Sequence, residues 1–175
     1  SKFNINDEIS SDLKEKILNF ALSEKNLSTA ANYLKVFPTI SLISLHINTP
    51  VENNIERGSM LWHKDDYGFK SLDLFVAINS LNFDNGPLYF LKEYNQLGSF
   101  SKIEDVINDA KPGERNKVDI KTFNEYYPKS RVDVLTGSPG DALFIDSIST
   151  YHRGGYCKLN NRLMLRITYQ TQDNI

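Results

Sequence analysis

Three residues carry the clearest chemical signal in this sequence, although one of them lies far from the other two. His63 and Asp65 are two positions apart, and such positions project from the same face of an extended segment. An imidazole nitrogen and a carboxylate oxygen on one face can bind the same divalent ion. His152 could supply a third ligand from a neighbouring strand. Two histidines and one carboxylate leave about three positions of an octahedron open, as in non-haem Fe(II) oxygenases.

Two arginines near the C-terminal end could hold an anion beside such a metal. Arg162 follows His152 by ten residues and opens the last alternating segment of the chain. Its planar guanidinium suits a bidentate grip on a carboxylate, although a surface charge at a strand end is the alternative. Arg166 shares the strand face of Arg162. Arg166 could bind that carboxylate in place of Arg162, or it could contact an acidic substrate.

The remaining candidates have weaker signals. Asp73 lies on the mixed face of an alternating strand and could contact the substrate, or it could be a strand-end charge facing solvent. Tyr67, just beyond the ligand pair, could contact the substrate or pack in a loop. His46 reads as a structural histidine within a strand. Cys157 has no cysteine or histidine partner at metal spacing, which indicates an inert thiol.

The elements that must hold these residues are short and β-rich from about residue 38 onward. Turn signals such as Asp84-Asn85-Gly86-Pro87 separate alternating segments. Several short strands with turns of this kind predict a mainly β fold, a sandwich or barrel. The predicted strands are 40–48, 72–80, 87–91, 132–135, 142–146 and 162–171.

Two helices are predicted before the first strand. An apolar stripe with helical spacing covers about residues 7–22. Ser28 or Thr29 is a candidate cap for a second helix that continues to Val36, because Pro38 ends it. The stripe of the first helix consists of Ile9, Leu13, Ile17, Leu18 and Leu22.

Composition excludes several classes of function. The chain has 175 residues, with 20 Lys+Arg and 22 Asp+Glu, which give a formal net charge of −2. This balance argues against a protein that holds nucleic acid by neutralising phosphates. One cysteine allows no internal disulfide and indicates a reducing compartment. With no signal-peptide pattern and no apolar run of the ~20 residues that span a bilayer, we expect a cytoplasmic protein without membrane partners.

The length predicts a single domain, residues 1–175, with a helical segment at about 1–37 and a β domain at 38–175. A polar stretch of mixed charge lies near 100–131. It includes a possible short helix at 103–110. The stretch reads either as a solvated surface excursion or as a lid over a site.

Three stretches together resemble the phytanoyl-CoA dioxygenase family of Fe(II)/2-oxoglutarate-dependent oxygenases. Trp62-His63-Lys64-Asp65 is similar to the family's W-H-x-D motif. Residues 75–91, with Asn85-Gly86-Pro87, are similar to its strand, turn and following strand. Residues 139–162 are similar to its Gly-Asp strand start, distal histidine and arginine. The chain departs from the family after Leu91, where Lys92-Glu93-Tyr94-Asn95 replaces the usual Pro-Gly-Ser-His.

The resemblance implies a double-stranded β-helix, or jelly roll, with the N-terminal helices packed outside. It implies Fe(II) bound by His63, Asp65 and His152, with 2-oxoglutarate and O₂ as cosubstrates and Arg162 on the distal carboxylate of 2-oxoglutarate. Related halogenases have Gly or Ala at the carboxylate position, so Asp65 favours hydroxylation of a small organic molecule. Two alternatives remain open: a metal-binding jelly roll without turnover, and a Zn²⁺ hydrolase that uses the same ligands.

Overall fold

The computed structural model describes the backbone of residues 2–4 and all of residues 9–50, 57–66, 70–92, 103 and 117–171. The described residues include ten strands, three α-helices and two short 3₁₀ helices, Gly58–Met60 and Lys129–Arg131. The α-helices are α1 (Ser11–Ala21), α2 (Glu24–Leu34) and α3 (Ile120–Tyr126). The strands are β1 (Lys2–Asn4), β2 (Thr39–Asn48), β3 (Trp62–His63), β4 (Ser71–Ala77), β5 (Leu88–Leu91), β6 (Lys117–Val118), β7 (Val132–Leu135), β8 (Ala142–Ile145), β9 (His152–Gly154) and β10 (Arg162–Gln170).

The strands form two five-stranded sheets in which every pair is antiparallel. The first sheet has the order β1-β2-β10-β4-β8, and the second has the order β6-β3-β9-β5-β7. Strands adjacent in space come from distant parts of the chain, as in a jelly roll. The mainly β, double-stranded β-helix prediction is confirmed.

The outer face of the first sheet packs against α1 and α2. Alternate residues of its strands, such as Leu74 and Ile167, meet Ala30 and Leu34 of α2 in one apolar cluster. The hydroxyl of Tyr169 on β10 donates a 2.7 Å hydrogen bond to the carbonyl of Ala21 at the end of α1. The helices therefore cover this face and leave the opposite face of the sheet toward the interior.

The predicted second helix starts earlier than the sequence indicated. Ser23, not Ser28 or Thr29, is the N-cap residue of α2. The hydroxyls of Ser28 and Thr29 instead donate to the carbonyl of Lys25 inside the helix. Side chains of this kind can satisfy either a cap or a preceding helical carbonyl, so the pattern alone does not fix the start.

Two further apolar clusters flank the second sheet. Phe75 and Met164 of the first sheet meet Leu88 of the second sheet between the two layers. On the outer face of the second sheet, the ring of Trp62 stacks on Phe123 of α3 with centroids 4.0 Å apart. The region 117–131, predicted as part of a polar excursion, therefore packs through α3 onto the sheet.

The six predicted strands all occur, with ends that differ by a few residues. β4 ends at Ala77, and Ile78, which falls within the predicted strand 72–80, is 44% exposed. Most of the rest of the predicted excursion, including residues 104–110 of the possible helix, lies outside the described residues, and Ile103 is buried and helical. Within the described part of the chain, no helix is long and apolar enough to cross a membrane.

Candidate metal centre

The two candidate histidine ligands are direct neighbours across a strand pair. His63 ends β3, His152 begins β9, and the two residues are paired in the antiparallel register of these strands. Their ring centroids lie 4.4 Å apart. Alternation along β3 places Trp62 on the outer face of the sheet, in the cluster with α3, and His63 on the inner face.

Asp65 completes the group two residues after His63. Its backbone N–H donates a 2.8 Å hydrogen bond to the carbonyl of Ser147, which fixes the segment after β3. Oδ1 of Asp65 lies 3.6 Å from Nε2 of His63, and Oδ2 lies 3.9 Å from Nε2 of His152. One ligand atom from each of the three side chains lies within 4.8 Å of the others. The structure thus brings together the three residues that the sequence singled out.

Both imidazole rings are oriented by the same local hydrogen bond. Nδ1 of His63 lies 2.8 Å from the carbonyl oxygen of Leu61, and Nδ1 of His152 lies 3.0 Å from that of Thr150. A carbonyl oxygen can only accept, so Nδ1 carries the proton in each ring and Nε2 keeps its lone pair. Such outer hydrogen bonds fix the tautomer of metal-binding histidines.

The electrostatics of the group match the needs of a bound cation. Burial, together with the nearby His152, lowers the pKa of His63 to about 4. Burial likewise lowers the pKa of His152. Burial alone would raise the pKa of Asp65, but Arg166 and His152 keep it below its ordinary value. Two neutral imidazoles and one carboxylate are therefore the forms present at neutral pH, and metal ligation requires these forms.

Arg162 is buried beside the histidines, with only 5% of its surface exposed. Nη1 donates to the carbonyl oxygens of Gly86, Pro87 and Gly155. Nε and Nη2 lie 3.4 and 3.1 Å from Oδ1 of Asn48. All these partners are neutral, so the hydrogen bonds orient the guanidinium without neutralising its charge. The alternative of a surface charge at a strand end is wrong for Arg162.

A cavity of about 90 Å³ joins the histidines to Arg162. The lining combines polar side chains, including two arginines, with the clustered apolar side chains of Phe75, Leu88 and Met164. The cavity can therefore contact a small anion as well as apolar atoms. Its lining residues are His46, Asn48, Ser59, His63, Phe75, Leu88, His152, Gly154, Arg162, Met164 and Arg166.

Gly154 is needed for the position of Arg162. A Cβ atom at Gly154 would lie 2.6 Å from Nη2 of Arg162, inside van der Waals contact. The glycine thus opens the space that the guanidinium fills, two residues after the candidate ligand His152 on the same strand face.

Arg166 occupies a different place from the one predicted for it. Its Nη2 donates to Oδ2 of Asp65 at 2.6 Å and to Oδ2 of Asp73 at 2.7 Å, and its Nε donates to Oδ1 of Asp73 at 3.0 Å. Asp73 is fully buried, with no exposed surface. The alternative of a strand-end charge facing solvent is therefore wrong for Asp73, and its contact with a substrate stays a prediction that the full burial disfavours. Because two carboxylates already engage Arg166, the structure disfavours it as the alternative partner for a cosubstrate carboxylate.

Other sequence candidates have simpler outcomes. Tyr67 lies outside the described residues. Nε2 of His46 lies 2.9 Å from Oγ of Ser44, as expected of a structural histidine, although His46 also lines the cavity. Cys157 is buried. Sequence reasoning missed Asn48 and Gly154, and the sequence carries no local signal for either, since their roles arise from contacts with Arg162.

Comparison with known proteins supports the fold. No protein-family model and no curated protein matches the chain. Among solved structures, AviO1 from Streptomyces viridochromogenes Tue57 matches with a TM-score of 0.61 and 15% identity, over 97% of this chain and 66% of AviO1. EctD from S. alaskensis, with 2-oxoglutarate and 5-hydroxyectoine, matches with a TM-score of 0.62 and 16% identity, over 90% of this chain and 53% of EctD.

A third match is the epimerase SnoN in complex with Fe³⁺, alpha ketoglutarate and nogalamycin RO. Its TM-score is 0.58 and its identity 16%, over 89% of this chain and 59% of SnoN. The chain shares the fold of these proteins. It spans less than two thirds of the length of each of the three. Membership of the phytanoyl-CoA dioxygenase family itself stays a prediction.

Proposed function

We propose that the protein is an Fe(II)- and 2-oxoglutarate-dependent dioxygenase that hydroxylates a small organic molecule. The observation that carries the proposal is the convergence of His63, Asp65 and His152 beside a buried arginine, Arg162. Two structural neighbours, SnoN and EctD, are described with alpha ketoglutarate or 2-oxoglutarate, and SnoN also with Fe³⁺. Those ligands agree with the chemistry that the residues of this chain would bind.

The three side chains fit a divalent iron. They provide two imidazole nitrogens and one carboxylate oxygen, the donor set of non-haem Fe(II) oxygenases. The Nδ1–H groups are already used by backbone carbonyls, so only the Nε2 atoms are available as ligands. When bound, iron and 2-oxoglutarate would supply the oxidising chemistry, with conversion of the cosubstrate to succinate and CO₂.

Arg162 would hold the distal carboxylate of 2-oxoglutarate. It is buried, charged and in the same cavity as both histidines. Asn48 and the surrounding carbonyl groups restrict the motion of Arg162, so its side chain would lose little conformational entropy when 2-oxoglutarate binds. A charge-assisted pair in such a desolvated place is stronger and more specific than at the surface.

The rest of the cavity would position the substrate and keep water away. Phe75, Leu88 and Met164 contribute clustered apolar surface. Such a surface favours a substrate that presents carbon–hydrogen bonds toward the metal. The carboxylate of Asp65 would occupy the coordination position that a halide takes in related halogenases, which favours hydroxylation as the outcome.

Succinate formation tests the proposal. Purified protein with Fe(II), ascorbate and 2-oxoglutarate is expected to release succinate, and faster with a suitable small-molecule substrate. His63→Ala and Asp65→Ala proteins should release none. Metal binding without succinate across a broad substrate panel would instead favour a binding protein. Hydrolytic turnover with Zn²⁺ in place of Fe(II) would favour the hydrolase.

A further inference from the structure

One guanidinium joins a candidate metal ligand to a buried second carboxylate. Arg166 on β10 donates from Nε and Nη2 to the two oxygens of Asp73 on β4, at 3.0 and 2.7 Å. The same Nη2 donates to Oδ2 of Asp65 at 2.6 Å. The Arg166 side chain is 8% exposed, that of Asp73 is not exposed at all, and that of Asp65 is 15% exposed. The three charges therefore form one desolvated unit.

Asp73 is itself fixed from two other directions. The hydroxyls of Ser147 and Thr168 both donate to its carboxylate. The guanidinium of Arg166 also lies over the ring of Phe75, 5.2 Å from its centroid. Movement of Arg166 would leave a fully buried carboxylate without its cation, and such a loss is strongly unfavourable. Arg166 is thus held in one orientation before any metal binds.

The two oxygens of Asp65 differ as a result. Oδ2 accepts the hydrogen bond from Arg166 and lies 3.9 Å from Nε2 of His152, whereas Oδ1 lies 3.6 Å from Nε2 of His63 and takes no part in the hydrogen bond with Arg166. We propose that Arg166 and Asp73 are positioning residues that make Asp65 a one-oxygen metal ligand by reserving its Oδ2. A carboxylate without this restraint can bind a divalent ion through both oxygens. The restraint keeps about three positions open on the metal for cosubstrates.

This inference rests on the proposed function, because it concerns the metal at the same site. The restraint that Arg166 places on Asp65 can be distinguished from a general effect of positive charge, because Arg162 provides a matched comparison. Arg162 is also a buried cation on β10, on the same strand face and in the same cavity, but its hydrogen bonds go to Asn48 and backbone carbonyls. Removal of either arginine lowers the local positive charge equally, but only removal of Arg166 frees Asp65.

The number of water molecules bound to Mn²⁺ tests the proposal. It can be counted from the broadening of the Mn²⁺ electron paramagnetic resonance lines in ¹⁷O-enriched water, without cosubstrate or turnover. The wild-type protein and Arg162→Gln are expected to show about three bound waters. Arg166→Gln is expected to show one fewer, because Asp65 then uses both oxygens.

A double variant keeps the test valid if Arg166→Gln folds poorly. Arg166→Gln with Asp73→Asn removes both charges, so Asp73 is not left as a fully buried carboxylate without its cation, and it should also show one bound water fewer than wild type. Equal water counts in wild type, Arg162→Gln and the double variant would overturn the inference. Failure of the wild-type protein to bind Mn²⁺ at all would overturn the proposed function instead, so the two failures are distinguishable.

Discussion

His63 and His152 face each other across β3 and β9, and each ring directs Nδ1 to the carbonyl two residues before it. The same local geometry is therefore repeated on two paired strands. Both Nε2 atoms are left on the inner side of the sheet, near Asp65. Because strand pairing rather than a loop sets the spacing of the two rings, the proposed metal site would be preorganised.

Removal of one of these histidines should abolish metal binding, whereas removal of the third histidine should not. In His63→Ala, we expect Mn²⁺ affinity measured by calorimetry to fall by more than about 100-fold, the upper range for loss of an outer-shell partner. His46→Ala is the matched control, since His46 lines the same cavity but is hydrogen-bonded to Ser44. Equal loss in both variants would indicate disruption of the cavity rather than loss of a ligand.

Replacement of Arg162 should separate cosubstrate binding from metal binding. In Arg162→Gln, we expect the affinity for 2-oxoglutarate to fall about 10- to 100-fold, the effect of losing a charged hydrogen-bonded partner. Mn²⁺ affinity should be retained, because Arg162 contacts no member of the triad in the described structure. Calorimetric titration with each ligand measures both. Unchanged binding of 2-oxoglutarate would exclude Arg162 as its partner.

Gly154→Ala should act on 2-oxoglutarate through Arg162. The new Cβ would lie 2.6 Å from Nη2, and the flexible end of the arginine must move to accommodate it. We expect an affinity for 2-oxoglutarate about tenfold weaker, from loss of one oriented charged hydrogen bond. The double variant with Arg162→Gln should bind no more weakly than Arg162→Gln alone, since neighbouring residues in one pathway are not additive. An additive loss would show that Gly154 acts elsewhere.

Tyr169 should stabilise the fold without affecting the site. Its hydroxyl donates to the carbonyl of Ala21, and Tyr169→Phe is expected to lower the free energy of unfolding by about 1 kcal/mol. Burial raises the pKa of Tyr169 to about 12, so the native state keeps a proton that the unfolded chain loses near pH 10.

The difference between the pKa of Tyr169 in the folded and unfolded states determines how its contribution to the free energy of unfolding changes with pH. The contribution of Tyr169 is complete below pH 10 and is lost as the pH rises toward 12. Urea unfolding at neutral pH and above pH 10 measures it, with the phenylalanine variant as the reference. An identical alkaline loss of stability in both proteins would contradict this role of Tyr169.

Some of the site could be predicted because it depends on local periodicity. Asp65 lies on the same side as His63 because alternate residues of an extended segment share a face. The strand at 132–135 was predicted with its observed ends for the same reason. By contrast, β3 and β9 have only two and three residues, too few for a recognisable pattern of their own.

The position of Arg166 could not be predicted, because it depends on register between strands. Thr168 is the direct partner of Asp73 across β10 and β4, and Arg166 is the partner of Phe75. This register places Arg166 diagonally across from Asp73, within reach of its carboxylate. A single sequence carries no signal for register between strands almost a hundred residues apart, so the sequence alone does not reveal that Asp73 and Arg166 form an interior ion pair.

Titration of 2-oxoglutarate into metal-free and Mn²⁺-loaded protein tests the central claim most directly. The account predicts tight binding only when Mn²⁺ is present, because the cosubstrate needs both the metal and Arg162. It also predicts that Asp65→Ala abolishes this metal dependence. Binding of 2-oxoglutarate that is equally strong with and without metal, or no binding to the Mn²⁺-loaded protein, would contradict the assignment of this site as an Fe(II)/2-oxoglutarate centre.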